Sequence, residues 1–264
     1  MIIYKTEQEI EVMRRSSSIV ATVLDELRTM VKPGIRTRDL DEYAESRARE
    51  LGGVAAFKGY RGFPAALCTS VNEEIVHGIP SGRVLNEGDI IGLDFGVLHD
   101  GFYGDATVTC PVGAVSARAG ELIAAAEAAF YKGLDQLKEG NRISDVSYAI
   151  QTYVESLGFS VIRTLVGHGI GHALHEEPQV PNFGLPGRGA RIRAGMTLAI
   201  EPMITMGDWR DEILDNGWTA VTRDRSLAAH FEHTVAVTSR GVEILSLRAG
   251  ERKAAGVAGE EQHA

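Results

Sequence analysis

Residues 31–52, "VKPGIRTRDLDEYAESRARELG", align without a gap on residues 137–158, "LKEGNRISDVSYAIQTYVESLG", when the chain slides on itself by 106 residues. Lys32 meets Lys138, Gly34 meets Gly140, Arg36 meets Arg142, Asp39 meets Asp145, Leu51 meets Leu157 and Gly52 meets Gly158. The shared glycines are what two copies of one helix, turn, helix unit need, because glycine closes a helix at positive φ without steric penalty. Each half then supplies two helices and a set of strands, and a site is expected between the halves.

Working outward, "TEQEIEVMRRSSSIVATVLDELRTMVKPG" (6–34) opens with a capping box of Thr6 and Glu9. Its apolar positions Ile10, Met13, Val20, Leu24, Leu27 and Val31 follow 3,4 spacing up to the stop at Pro33-Gly34. Further helices are expected over 37–51, capped by Thr37, over the alanine-rich 116–137, and over 144–157, capped by Ser144. Strands are expected in "ALCTSVNEEIVHG", "DIIGLDFGVL" and "FYGDATVTC" of the first half, and in "TLAIEPMITM", "WTAVTRD" and "FEHTVAVTS" of the second. One domain over 1–250 follows, with halves of about 1–112 and 113–248. The closing "AGERKAAGVAGEEQHA" has no core pattern, and a mobile tail is expected over 251–264.

A chain of 264 residues with 44% hydrophobic content buries a sizeable core. Its formal charge of -9 offers no broad basic surface, which argues against stable nucleic-acid or anionic-membrane binding as the main activity. No apolar run reaches the roughly 20 residues of a membrane helix. Cys68 and Cys110 are the only cysteines, and "MIIYKTEQEI" lacks a secretory pattern, so a reducing cytoplasm is expected and no disulfide between them.

"IIGLDFGVLHDGFYGDATVT" (90–109) has the form of a hairpin with one acid on each arm, Asp94 and Asp105. A two-residue loop, His99-Asp100 or Asp100-Gly101, places both carboxylates on one face; a three-residue loop splits them. The second half repeats the anomaly, with Glu201 inside "TLAIEPMI" and Glu232 inside "AAHFEHTVAVT". Burying four acids independently is too costly. A carboxylate cluster with a histidine is instead the ligand set of two divalent cations, whose charge four carboxylates offset.

The histidine comes from "HGIGHALHEEP" (168–178). His168 and His172 have the spacing of a zinc helix, but Gly167, Gly169 and Gly171 oppose helix and no glutamate lies between the histidines. A phosphate loop needs Gly-Lys-Ser or a helix directly after the glycines, and neither follows. An irregular turn is expected, with one histidine reaching the metals, His175 facing a substrate and His172 an ordinary polar loop residue.

Taken together, "NEEIVHGIP", "LDFGVLHDGFYGD", "GHGIGHALHEEPQVPNFG", "AIEPM" and "FEHTVAVT" resemble the methionine aminopeptidases of the pita-bread metallopeptidase fold, over about residues 3–247. The resemblance implies an α+β fold, the creatinase/aminopeptidase pita-bread, in which two pseudo-symmetric halves pack helices on a curved antiparallel sheet. It implies Asp94, Asp105, His168, Glu201 and Glu232 as metal ligands, with Asp105 and Glu232 bridging two ions. It further implies hydrolytic removal of an initiator methionine, with Glu201 also moving the proton, His175 donating to the developing oxyanion and His77 contacting the departing amide. Tyr60, Phe63, Cys68, Leu174 and Trp218 are implied as walls of the methionine pocket. Leu174 stands where many relatives carry phenylalanine, and Gly96 where some carry threonine.

Two divalent ions per chain are expected, and four oxygen donors with one nitrogen suit Mn, Fe or Co at least as well as Zn. Cys68 is near enough to the pocket to meet thiol reagents, subject to its pKa. The resemblance further implies as partners nascent polypeptide N-termini and methionyl peptides with a small second residue, transient ribosome contact and a monomeric state, and no membrane partner is expected. Proline-specific relatives share the ligands but carry an extra N-terminal domain, whereas this chain starts almost directly at the catalytic half. The 31-residue step from Glu201 to Glu232 leaves no room for the inserted subdomain of type II enzymes, so type I is the better match.

Overall fold

The computed structural model describes residues 1–254. Helix α1 (Glu7–Met30) starts on the expected capping box: Thr6 Oγ1 accepts from Glu9 N–H, and Glu9 returns its carboxylate to Thr6 N–H at 2.7 Å. Ile10, Met13, Val20, Leu24 and Leu27 are buried along one stripe. Helices α2 (Thr37–Glu50), α3 (Ala117–Leu134) and α4 (Ile143–Ser156) follow the expected segments. The caps of α2 and α4 differ from expectation. Arg36 and Arg142 occupy the cap positions, and their N–H groups donate to Asp39 Oδ2 at 3.1 Å and Asp145 Oδ2 at 2.7 Å. Thr37 lies one residue and Ser144 two residues past these caps, where their hydroxyls donate to Ser81 O and Arg188 O instead.

Those caps expose the duplication in hydrogen bonds. Gly34 N–H donates to Leu85 O at 2.8 Å and Leu85 N–H to Ile35 O at 2.9 Å; Gly140 N–H donates to Ile192 O at 3.2 Å and Ile192 N–H to Asn141 O at 2.8 Å. Gly34 and Gly140 adopt φ of +91° and +93°, and Gly52 and Gly158 are also left-handed. The offset grows to 107 between Leu85 and Ile192, and the same step relates Asp94 to Glu201.

The main sheet is antiparallel throughout. Its path runs Val54–Ala55, Ile90–His99, Phe102–Pro111, Glu232–Thr238, Thr197–Ile200, Val166–Gly169 and Glu176–Pro181, with Cys68–Val71 and Gly241–Ile244 pairing alongside. The two halves meet where Thr107 faces Glu232 and Ala106 faces His233. Period-two alternation divides the sheet's faces. On Ile90–His99, Ile91, Leu93, Phe95 and Val97 pack with α1 and α2 in one core, while Gly92, Asp94 and Gly96 point away. A second core joins α3 and α4 to Leu198, Ile200, Val235 and Val237. Each half therefore buries its own helix pair, and the opposite face of the shared sheet is left for chemistry.

Of the tail expected over 251–264, residues beyond Ala254 lie outside the described residues. Up to that point the chain forms a short helix, α5 (Ala249–Ala254); Glu251 accepts from Arg248 N–H at 2.8 Å and from His233 Nε2 at 3.3 Å. Among the described residues no helix is long and apolar enough to cross a membrane.

Candidate active site

The hairpin turns at Asp100-Gly101, with φ of +47° and +81°, so the loop is one of the even lengths that keep both acids together. Register places Asp94 opposite Thr107 and Gly96 opposite Asp105, so the two carboxylates are diagonal neighbours on one face. Glu232 begins the neighbouring strand and accepts from Thr107 Oγ1 at 2.8 Å. Glu201 follows Thr197–Ile200 directly, where Asn182 Nδ2 holds its backbone carbonyl at 3.0 Å.

His168 corrects the expectation of an irregular turn: it lies in the strand Val166–Gly169, paired with Ala199, and only residues 170–175 are irregular. The glycines serve close approach rather than bending. A Cβ on Gly167 would stand 2.5 Å from Ala199 O, and one on Gly169 2.3 Å from Glu177 O. His168 Nδ1 lies 2.9 Å from Gly169 O, and a carbonyl only accepts, so the proton is on Nδ1 and the Nε2 lone pair is free. That Nε2 stands 3.5 Å from Glu201 Oε1.

Asp94, Asp105, His168, Glu201 and Glu232 are all buried. Burial pushes Asp94 up to about 7. Burial, then repulsion from the neighbouring carboxylates, drives Asp105, Glu201 and Glu232 well above the usual range. Burial holds His168 down to about 4. Among the described residues no Lys or Arg forms an ion pair with any of the four acids, and Asp94 Oδ1 and Asp105 Oδ1 have no hydrogen-bond partner. Donor atoms of Asp105, His168 and Glu232 lie within 4.8 Å of one another. Orphaned carboxyl oxygens, a free imidazole lone pair and four crowded acids with no Lys or Arg partner among the described residues fit a divalent-cation site.

The five residues lie in a cavity of about 280 Å³ that also takes in His77, His175 and every expected pocket wall: Tyr60, Phe63, Cys68, Leu174 and Trp218. Trp218 meets the ring of Phe63 edge-on at 5.2 Å and that of His77 at 6.3 Å. His175 stacks on Tyr60 at 5.3 Å, and its Nδ1 lies 2.9 Å from the phenol oxygen. Burial holds His175 down to about 3 and lowers His77, so both are neutral near pH 7. Cys68 faces Asp94 across the strands, and burial followed by that acid's charge pushes its thiol well above 9; it is no thiolate at neutral pH. Both cysteines are free. A Cβ on Gly96 would come within 2.6 Å of the Phe57 ring, so Phe57 fills the space a threonine would take. His172 remains outside, over Phe102 and 3.3 Å from Glu9.

Three contributors were not singled out from the sequence. His230 and Arg61 line the cavity, and His230 lies two residues before Glu232, where strand periodicity is the signal for a shared face. Lys5 forms a buried ion pair with Glu176, whose other oxygen accepts from Ala173 N–H at 3.1 Å; together they fix the loop carrying Leu174 and His175. A lysine just before a helix carries no sequence signal for this.

Known proteins were compared with this geometry in hand. A family model described as metallopeptidase family M24 matches residues 11–239. The methionine aminopeptidase of Clostridium acetobutylicum is 50% identical over 248 residues, covering 94% of this chain and 99% of that protein. Methionine aminopeptidase 1 of Bacillus subtilis is 49% identical over 246 residues, covering 93% and 99%. The crystal structure of the Thermotoga maritima methionine aminopeptidase superposes with a TM-score of 0.92 at 48% identity, covering 93% of this chain and 99% of that one. The prolidase from Pyrococcus furiosus, with a TM-score of 0.76 at 20% identity over 92% of this chain and 65% of that one, shows a shared fold alone. That fold is the expected pita-bread.

Proposed function

This chain belongs to metallopeptidase family M24 and, within it, to the methionine aminopeptidases, and on that premise we propose how its site removes an N-terminal methionine. The observation that carries the reading is the buried, uncompensated group of four carboxylates and an imidazole at the floor of an apolar-walled cavity. Asp94, Asp105, His168, Glu201 and Glu232 would hold two divalent ions. When bound, such ions supply Lewis acidity toward the scissile carbonyl and the attacking water.

The residues supply the rest. Glu201 takes the proton of the attacking water at a carboxylate oxygen and returns it to the leaving nitrogen. Tyr60 donates its hydroxyl proton to His175 Nδ1, which leaves the His175 proton on Nε2 as a donor to the charge developing on the carbonyl oxygen. His77 contacts the departing amide. Phe63, Trp218, Leu174, Tyr60 and Cys68 surround the thioether, which offers only weak hydrogen-bond acceptance and suits an apolar wall. Carried over from the family resemblance, the substrate is a nascent chain or peptide with a small second residue. It is met in the cytoplasm by a monomer in transient contact with the ribosome.

The test strips the full chain with chelator, restores Mn, Fe, Co or Zn anaerobically, and follows methionine release from a Met-Gly peptide beside an Ala-Pro peptide. Methionine release alone supports the reading and ranks the metals. Cleavage of Ala-Pro alone moves the chain to proline-specific chemistry, and no cleavage with no metal bound overturns the site.

A further inference from the structure

Glu201 stands between two imidazoles. His168 Nε2 lies 3.5 Å from its Oε1, and His230 Nε2 lies 3.6 Å from its Oε2 and 4.0 Å from Glu232 Oε2. These separations exceed a hydrogen bond. They are the spacing of donors that share an ion: two atoms each about 2.1 Å from one cation at a tetrahedral angle stand about 3.4 Å apart.

His230 has the other attributes of a ligand. It is 3% exposed, lines the same cavity, and among the described residues its Nε2 has no hydrogen-bond partner. Its backbone is fixed from two sides. Thr109 Oγ1 donates to His230 O at 2.8 Å and accepts from His230 N–H at 3.0 Å, and Met203, two residues after Glu201, is its partner across the strands. The ring is therefore held beside Glu201 by the sheet itself. Its two neighbours across the gap are carboxylate oxygens of residues already expected to bind metal, one from each of two different strand ends.

We propose that His230 is a further metal ligand, supplying through Nε2 a second imidazole to the divalent cations held around Glu201 and Glu232. The inference rests on the reading that this cluster binds divalent cations. It changes the donor set from four carboxylates and one imidazole to four and two, which tilts relative affinity toward nitrogen-favouring ions such as Co and Zn and away from Mn.

The test adds Co²⁺ stepwise to the chelator-stripped, full-length protein and counts the paramagnetically shifted, exchangeable imidazole N–H signals in the proton spectrum, one for each coordinated histidine. Two signals are expected in the wild type and one in His230→Gln, with calorimetry showing at least tenfold weaker binding of one ion in that variant. Circular dichroism checks that the variant folds, and the wild-type count stands without it. A single shifted signal in the wild type overturns the proposal, as does His230→Gln keeping two signals and unchanged affinity. The calorimetric stoichiometry gives separately whether one ion binds or two. If the wild type binds no Co²⁺ at all, the reading of the cluster as a metal site fails as well, which separates that outcome from a failure of His230 alone.

Discussion

At the scale of single residues, the Tyr60 to His175 contact of 2.9 Å makes the clearest demand. His175 is neutral near pH 7, so it acts as a donor only if the proton sits on Nε2, and the phenol that donates to Nδ1 enforces that tautomer. Tyr60→Phe should lower kcat by up to about tenfold, the worth of one hydrogen bond, with KM nearly unchanged. His175→Ala should lose about 10²–10³ in kcat, as removal of an oxyanion donor does. Steady-state kinetics on a Met-Gly peptide checks both; equal losses in the two variants would mean that the phenol, not the imidazole, touches the substrate. Glu201→Gln is isosteric and keeps one oxygen donor, so kcat should fall by about 10²–10⁴, the worth of a general base, while the thermal midpoint with metal changes little. The acids were legible because a carboxylate inside an apolar strand is conspicuous. His230 was not, because one buried histidine looks like any other until Glu201 Oε2 is found 3.6 Å away.

Elements show a different limit. The sequence leaves the hairpin loop at two or three residues, and the choice decides the site, because side chains on a strand alternate with period two and a one-residue change moves an acid to the other face. The strand Val166–Gly169 was hidden: four residues with two glycines show no apolar alternation, and what makes it a strand is the backbone of Ala199 pressed against Gly167. The same loop depends on Lys5, whose ammonium pairs with Glu176 while its Cε lies 2.1 Å from where a Gly171 Cβ would be. Lys5→Met strands the Glu176 carboxylate in the interior, so about 3–5 kcal/mol of stability should be lost, the usual result of removing one partner of a buried pair. Because Glu176 also holds Ala173, Leu174 and His175 should shift with it, raising KM as well as lowering kcat. Urea denaturation and kinetics on one preparation test this; a large stability loss with unchanged kinetics would show that the pair braces the N-terminus and not the site.

For the whole molecule, the 106-residue repeat was legible because the glycine punctuation and the Arg and Asp three residues apart survive in both halves, although their role as caps shows only in the structure. The step to 107 that makes Asp94 and Glu201 counterparts was not, since a one-residue insertion in a loop leaves no pattern. The two halves join at Thr107 and Glu232, so the cluster sits on the seam and its charge is felt by both cores. Without metal, Asp105, Glu201 and Glu232 keep protons in the folded state that the unfolded chain gives up near pH 4. The native state then binds more protons than the unfolded one, and stability must fall as pH rises, by about 1.4 kcal/mol per pH unit for each carboxyl that stays protonated. The lowered histidines, His77, His168, His175 and His230, act with the opposite sign, but only below about pH 6.5, where an unfolded imidazole takes up its proton. Between pH 6.5 and 8 the carboxyls act without that opposition, and Asp94, pushed up to about 7 and so half titrated there, adds to the same fall. Chelated protein should therefore lose stability across that interval in urea titrations. Metal-loaded protein should not, because the ions require the ionised carboxylates and bind more strongly as pH rises. A flat profile in the chelated protein would mean that the four carboxylates are already ionised without metal, and that something other than a divalent cation balances them.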